Sequence, residues 1–250
     1  MARPFSDHFS SVAASYAAHR PTYPKALFRF VAGLTTRHEL AWDCACGNGQ
    51  AALGLADEFQ RVVATDASAE QLGAATRHPR IDYRVARAEA SGLAAGSVDL
   101  ITVAQALHWF DLAAFYAEAH RVLAPKGAIA VWSYARPRVD EPACDAALLH
   151  FHDDVVGPWW LPEAESTENG YRDLPFPFIE QKVSPLELTM EWTLAELLGY
   201  VRTWSALRRC AADGHAEEIA AFEREFSVLW GDPRNRRRIS WRLGIRAGRR

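Results

Sequence analysis

Between residues 39 and 132 the chain alternates short apolar runs with segments of helical spacing, and this alternation restricts the fold more than any other feature. Glu39–Asp43, Arg61–Thr65, Ile81–Ala86, Val98–Val103 and Ala128–Trp132 read as strands. Gln50–Glu58, Ser68–Arg77 and Leu112–Leu123 read as helices between them, with Pro125-Lys126-Gly127 turning the chain into the last strand. Strands separated by helices cannot pair as hairpins. They form a parallel sheet with both faces covered, joined by right-handed crossovers, so the class is α/β.

The junction between the first strand and the first helix carries the strongest chemical signal. Asp43 closes the strand, and Gly47 and Gly49 open a turn into a helix whose first N–H groups are free to meet a ligand. Asp66 ends the second strand, twenty-three positions after Asp43, where a carboxylate would accept the hydroxyls of an adenosine ribose. Gly47-Asn48-Gly49-Gln50-Ala51-Ala52 also satisfies G-x-G-x-x-A, so an NAD(P)-dependent oxidoreductase shares this turn as a reading. Asp43 argues against that reading, because a carboxylate there suits an ammonium group better than a pyrophosphate.

A length of 250 residues suits one α/β domain with elaboration, and 49% hydrophobic with 24% charged residues provides a core. No apolar run reaches the ~20 residues of a membrane span, and residues 1–8 lack a secretory pattern, so the expected location is cytoplasmic. Cys44, Cys46, Cys144 and Cys210 form neither a CxxC pair nor a metal-spaced set; buried free thiols are expected, with no metal. A net charge of −3 gives no general case for nucleic acid. The arginines from Arg234 to Arg250 could track phosphates, but Ile239, Trp241, Leu243 and Ile245 alternate with polar residues, and the arginines read as the solvated face of a strand.

After Tyr134 prolines and tryptophans cluster between helical stretches near Ala143–Val155, Leu194–Trp204 and Ala216–Leu229. Late strands at about Leu186–Trp192 and Arg238–Ile245 are expected to pair antiparallel at the sheet edge. The expected organisation is an N-terminal helical cap over residues 1–35, with helices around Ser11–Ala18 and Pro24–Ala32, and a core over 36–134. A helical cap with a late strand over 135–230 and an edge strand over 231–250 complete it.

Trp42-Asp43-Cys44-Ala45-Cys46-Gly47-Asn48-Gly49-Gln50 resembles the first motif of class I methyltransferases, more narrowly the methyltransferase type 11 group that includes trans-aconitate methyltransferase-like proteins. The likeness continues through Ala64–Ser68, Ala88-Glu89, Val98–Ile101, Ala104–Phe110 and Arg121–Gly127, with His19–Pro24 upstream. It implies a Rossmann-like, seven-stranded, mostly parallel sheet with an antiparallel edge strand, and S-adenosylmethionine as cofactor. By that resemblance Asp43, Ala45, Gly47, Asn48 and Gly49 surround the methionine part and Asp66 binds the ribose. Ala67 and Ser68 lie beside the adenine, Ala88 and Glu89 reach its edge, and Gln105 stands near the sulfonium. Ala45 departs from the pattern, since the family usually has glycine there, and weaker cofactor binding is the expected consequence.

Methyl transfer requires alignment more than a covalent nucleophile. His108, after the fourth strand, is the candidate general base, with a structural corner as the alternative; a base is needed for a hydroxyl or amine but not for a carboxylate. Trp109 is a candidate for the substrate side, by packing or by a cation–π contact with the sulfonium. Arg20 can grip the cofactor's carboxylate or an acidic acceptor, and Tyr16 is a weaker candidate beside it. The expected partner is a small-molecule methyl acceptor, with a carboxylate as the candidate class, methylated by in-line transfer; no membrane or nucleic-acid partner is expected, and the expected state is a monomer or homodimer. A non-catalytic cofactor-binding relative is the remaining alternative.

Overall fold

The structure, a computed structural model, describes residues 20–250. Tyr16 and the expected helix at Ser11–Ala18 lie outside the described residues.

Five strands run parallel: β1 (Leu40–Cys44), β2 (Arg61–Asp66), β3 (Ile81–Val85), β4 (Val98–Ala104) and β5 (Leu123–Tyr134). Their order is β3-β2-β1-β4-β5. The winding therefore reverses between β1 and β4, and loops leaving the carboxyl ends of those strands diverge to leave a crevice. Helices α1 (Lys25–Ala32), α2 (Gln50–Ala56), α3 (Ala69–Gly73) and α4 (Leu112–Val122) cover the faces. Helix α3 is shorter than the spacing predicts. Ser68 caps it by accepting the Gln71 amide, and it stops at Gly73, a residue with poor helix propensity. Strand β5 begins at Leu123, paired with Val98, before a bulge brings Ala128 opposite Leu100.

Strand β9 (Arg237–Arg249) runs antiparallel and pairs with β5 from Ala128↔Arg249 to Tyr134↔Leu243. Its first half pairs with β8 (Glu187–Trp192), and two-residue strands β6 (Arg138–Val139) and β7 (Ile179–Glu180) also join it. Both late strands expected from the sequence are present and antiparallel. Strand β9 is nevertheless not the margin, since β7 and β8 lie outside it. Seven strands thus carry the sheet in the order β3-β2-β1-β4-β5-β9-β8.

The tail arginines do more than face solvent. Arg246 donates to the carbonyls of Tyr171 (2.8 Å) and Leu174 (2.6 Å), Arg242 to that of Glu168, and Arg249 to that of Leu34. Arg237 donates to the Trp230 carbonyl and lies over its ring. These bonds satisfy carbonyls outside the sheet ladders, most of them in the irregular second half.

That second half contains α5 (Pro142–His150), continued by a π-helical turn over Phe151–Val155, then α6 (Glu163–Glu168), α7 (Leu194–Val201), α8 (Ser205–Ala212) and α9 (Ala216–Trp230). A capping box between Thr193 and Glu196 starts α7. The helix expected at Leu194–Trp204 ends at Val201, and α8 follows after the extended Trp204. One apolar cluster joins α1, α2 and the cap helices to one face of the sheet, and a second lies around α4 on the other. The four cysteines are free thiols, three of them buried. Among the described residues no helix is long and apolar enough to cross a membrane, and no three metal-binding side chains cluster.

Candidate active site

The turn after β1 folds back over the end of β2. Ala45 and Gly47 both have φ of 55°, and Gly49, which precedes α2, has φ of 84°. The Cys46 amide donates to the Thr65 carbonyl at 3.0 Å, and the Gly49 amide donates to that of Cys46 at 2.9 Å. Asp66 holds this arrangement from the neighbouring strand: its Oδ2 accepts the Gly47 amide and its Oδ1 the Ser68 amide, both at 2.8 Å. A β-carbon on Gly49 would lie 2.3 Å from the Tyr83 hydroxyl, so glycine is needed there for space as well as for conformation.

Asp43 lies beneath the turn and is fully buried. Thr102 Oγ1 donates to its Oδ1 at 2.8 Å, while Oδ2 has no hydrogen-bond partner among the described residues. Burial, reinforced by the negative charge of Asp66, pushes the Asp43 carboxyl up to about 7. Asp43 therefore supports the turn from below and does not itself line the crevice.

The crevice is a cavity of about 520 Å³ at the carboxyl ends of β1, β2 and β4. Ala45, Gly47 and Asn48 line one side, and Asp66, Ala67 and Ser68 the next. Ala88 and Glu89 come from the loop after β3, while Gln105 and Trp109 follow β4. Gly49 is turned against Tyr83 instead, for the steric reason above. Gln105 takes a left-handed backbone at φ 57°; its amide donates to the Trp132 carbonyl and its side-chain amide to that of Tyr134. Arg20 lines the same cavity, donates to the Tyr134 hydroxyl at 2.6 Å and lies 5.4 Å from the centre of the Tyr200 ring.

His108 lines a second cavity of about 300 Å³. Its Nδ1 lies 3.2 Å from the Tyr171 hydroxyl, and its ring lies 4.6 Å from that of Trp109. Burial lowers its pKa to about 4, which keeps the imidazole neutral near pH 7. The two cavities share Arg20, Gln105, Trp109, Tyr134 and Leu161, so they adjoin through a common wall.

Sequence reasoning missed several residues of the first cavity. Tyr23 and Cys46 sit inside matched stretches and could have been taken from them, and Gln71 lies on α3. Leu161 and Glu163 come from the cap, where neither spacing nor motif signals them.

The chain matches the family described as methyltransferase domain over residues 42–131. It is 33% identical over 205 residues to a Dictyostelium discoideum protein named as a methyltransferase, covering 80% of this chain and 78% of that one. A Saccharomyces cerevisiae protein named as an S-adenosylmethionine-dependent methyltransferase is 32% identical over 142 residues, or 52% of this chain and 48% of that one. A solved structure from Anaeromyxobacter dehalogenans, described as a type II methyltransferase, superposes with a TM-score of 0.87 and 43% identity over 92% of this chain and 97% of that one. The chain belongs to the class I S-adenosylmethionine-dependent methyltransferases. It is a methyltransferase enzyme of the group carrying this domain, its cofactor is S-adenosylmethionine, and the oxidoreductase and non-catalytic readings fall away.

The residues present fit that cofactor. The left-handed turn leaves open space beside Gly47, and Asp43, whose Oδ2 has no hydrogen-bond partner among the described residues, lies beneath it. A carboxylate, Asp66, stands at the end of β2 on the cavity wall.

Proposed function

We propose that this methyltransferase acts on a small-molecule acceptor held in the second cavity, with the cofactor in the first. The observation that carries this reading is the shared wall. Two chambers adjoining at Gln105 and Trp109 let a nucleophile approach the cofactor from the side opposite its binding turn. S-adenosylmethionine, when bound, supplies a methyl group on positively charged sulfur. The protein's part is then to align the acceptor with that methyl and to exclude water.

On this reading Ala45, Gly47, Asn48 and the Asp43 carboxyl beneath them hold the methionine part. Asp66 holds the ribose, Ala67, Ser68, Ala88 and Glu89 hold the adenine, and Gln105 and Trp109 stand at the junction. Arg20 and Tyr134 close the junction from the other side. His108 serves as a neutral hydrogen-bonding group in the acceptor chamber, since an imidazole titrating at about 4 is a weak proton acceptor. The arginines of β9 bond within the protein, which speaks against a nucleic-acid acceptor.

The test pairs binding with transfer. S-adenosylhomocysteine is expected to raise the melting temperature, and label from S-adenosylmethionine is expected in a low-molecular-weight fraction when a metabolite panel is supplied. Binding with label found only in macromolecules would overturn the reading.

A further inference from the structure

The second cavity has a definite chemical character. Trp160, Trp204 and Tyr200 form one side of it, with ring centres 5.7 Å apart for Trp160 and Trp204 and 6.0 Å for Tyr200 and Trp204. His152 packs between the tryptophans, 4.9 Å from Trp160 and 5.0 Å from Trp204. Trp109 adds a further ring at the junction with the cofactor cleft.

Both cations on its wall are already engaged. Arg136 Nη1 lies 2.5 Å from each carboxylate oxygen of Asp153, and Arg20 is bonded to Tyr134 and stacked over Tyr200. Glu165 and Glu168 also line the chamber. An anionic acceptor would therefore meet acidic side chains, and drawing a counter-charge from Arg136 would break its pair with Asp153.

From these features, and resting on the small-molecule reading above, we infer that the chamber takes a neutral, flat aromatic acceptor bearing a hydroxyl group, not an aliphatic carboxylate. Stacked and edge-on ring contacts favour a planar guest. The acidic side chains offer acceptors to a hydroxyl donor. Burial raises the Glu168 carboxyl and lowers His108 and His152, so the surroundings favour uncharged groups. Methylation at such a hydroxyl forms a carbon–oxygen bond as the carbon–sulfur bond breaks with its electron pair left on sulfur. The hydroxyl proton is released to solvent.

The test uses the full chain saturated with S-adenosylhomocysteine, titrated calorimetrically with 2-naphthol and with tricarballylate. The same protein is then given labelled S-adenosylmethionine and a panel of phenols, naphthols and aliphatic polycarboxylates. Naphthol is expected to bind and tricarballylate not to. Trp160→Ala is expected to weaken naphthol about tenfold, with S-adenosylhomocysteine affinity unchanged as proof of folding, and Trp160→Phe to restore most of it. Binding or methylation of the aliphatic polycarboxylates in place of the phenols overturns this inference and leaves the small-molecule reading standing. Transfer to none of these compounds overturns this inference, and label found only in macromolecules overturns both.

Discussion

The Asp66 carboxylate receives the Gly47 amide on Oδ2 at 2.8 Å, so the turn after β1 and the end of β2 form one hydrogen-bonded unit. A single side chain thereby shapes the cradle as well as lining it.

Asp66→Ala is accordingly expected to act twice. Losing hydrogen bonds to two backbone amides should cost about 1–3 kcal/mol in urea denaturation. Calorimetric affinity for S-adenosylhomocysteine should fall at least tenfold. A stability loss with unchanged affinity would reduce Asp66 to a brace.

Ala45 holds φ at 55° where a β-carbon is disfavoured. Relief of about 1–2 kcal/mol of left-handed strain outweighs the roughly 0.5–1 kcal/mol of extra chain entropy that glycine brings. Ala45→Gly is therefore expected to raise stability by about 0.5–1 kcal/mol and to tighten S-adenosylhomocysteine. An unchanged dissociation constant would separate the strain from cofactor binding.

Two buried groups give opposite pH dependences. His108 titrates at about 4 in the fold against its ordinary 6.5, so between those values the unfolded chain holds the extra proton. Its contribution is full above 6.5 and is lost as pH falls through the window. Asp43 titrates at about 7 against 3.8, so the fold holds the extra proton and stability declines as pH rises through that interval. Denaturation from pH 4.5 to 7.5 should show a steeper decline with pH in His108→Gln than in the parent. In Asp43→Asn the slope should change the other way. Parallel curves for all three proteins would contradict both shifts. Turnover should show no inflection near 6.5 that His108→Gln removes.

Gly49→Ala is expected to destabilise by about 1–3 kcal/mol, from a φ of 84° together with the clash with Tyr83. Adding Tyr83→Ala should remove the clash and not the backbone strain. The double variant should therefore lose less stability than the two single losses summed, and strict additivity would mean that the two residues do not press on each other.

The core was readable because periodicity and turn chemistry agree there. Glu39–Asp43, Arg61–Thr65 and Val98–Val103 each fall within a residue or so of the observed strands, since buried parallel strands must be apolar throughout. The cap was less readable. Helix α6 reads Glu163-Ala-Glu-Ser-Thr-Glu168, which has no apolar stripe to announce it, yet it packs against Leu107–Trp109. The first cavity was legible in the motifs because the residues that line it sit at strand ends. Asp43 was placed correctly at the end of β1 but expected to face the ligand, and sequence alone does not reveal that Thr102 covers one of its oxygens. His108 was expected at the catalytic edge, and its separation into an adjoining chamber depends on Tyr171 and Trp160, far along the chain.

Strand β9 also bears on how the molecule is made. Until it enters, β5 presents the unpaired margin of a hydrophobic sheet, and its eventual partners lie more than a hundred residues away. Pairings of that separation close late, and open apolar edges recruit other chains. Assembly of this enzyme therefore passes through an interval of vulnerability to aggregation, and mutations in β9 should lower the yield of refolded protein more than their effect on the finished molecule would suggest.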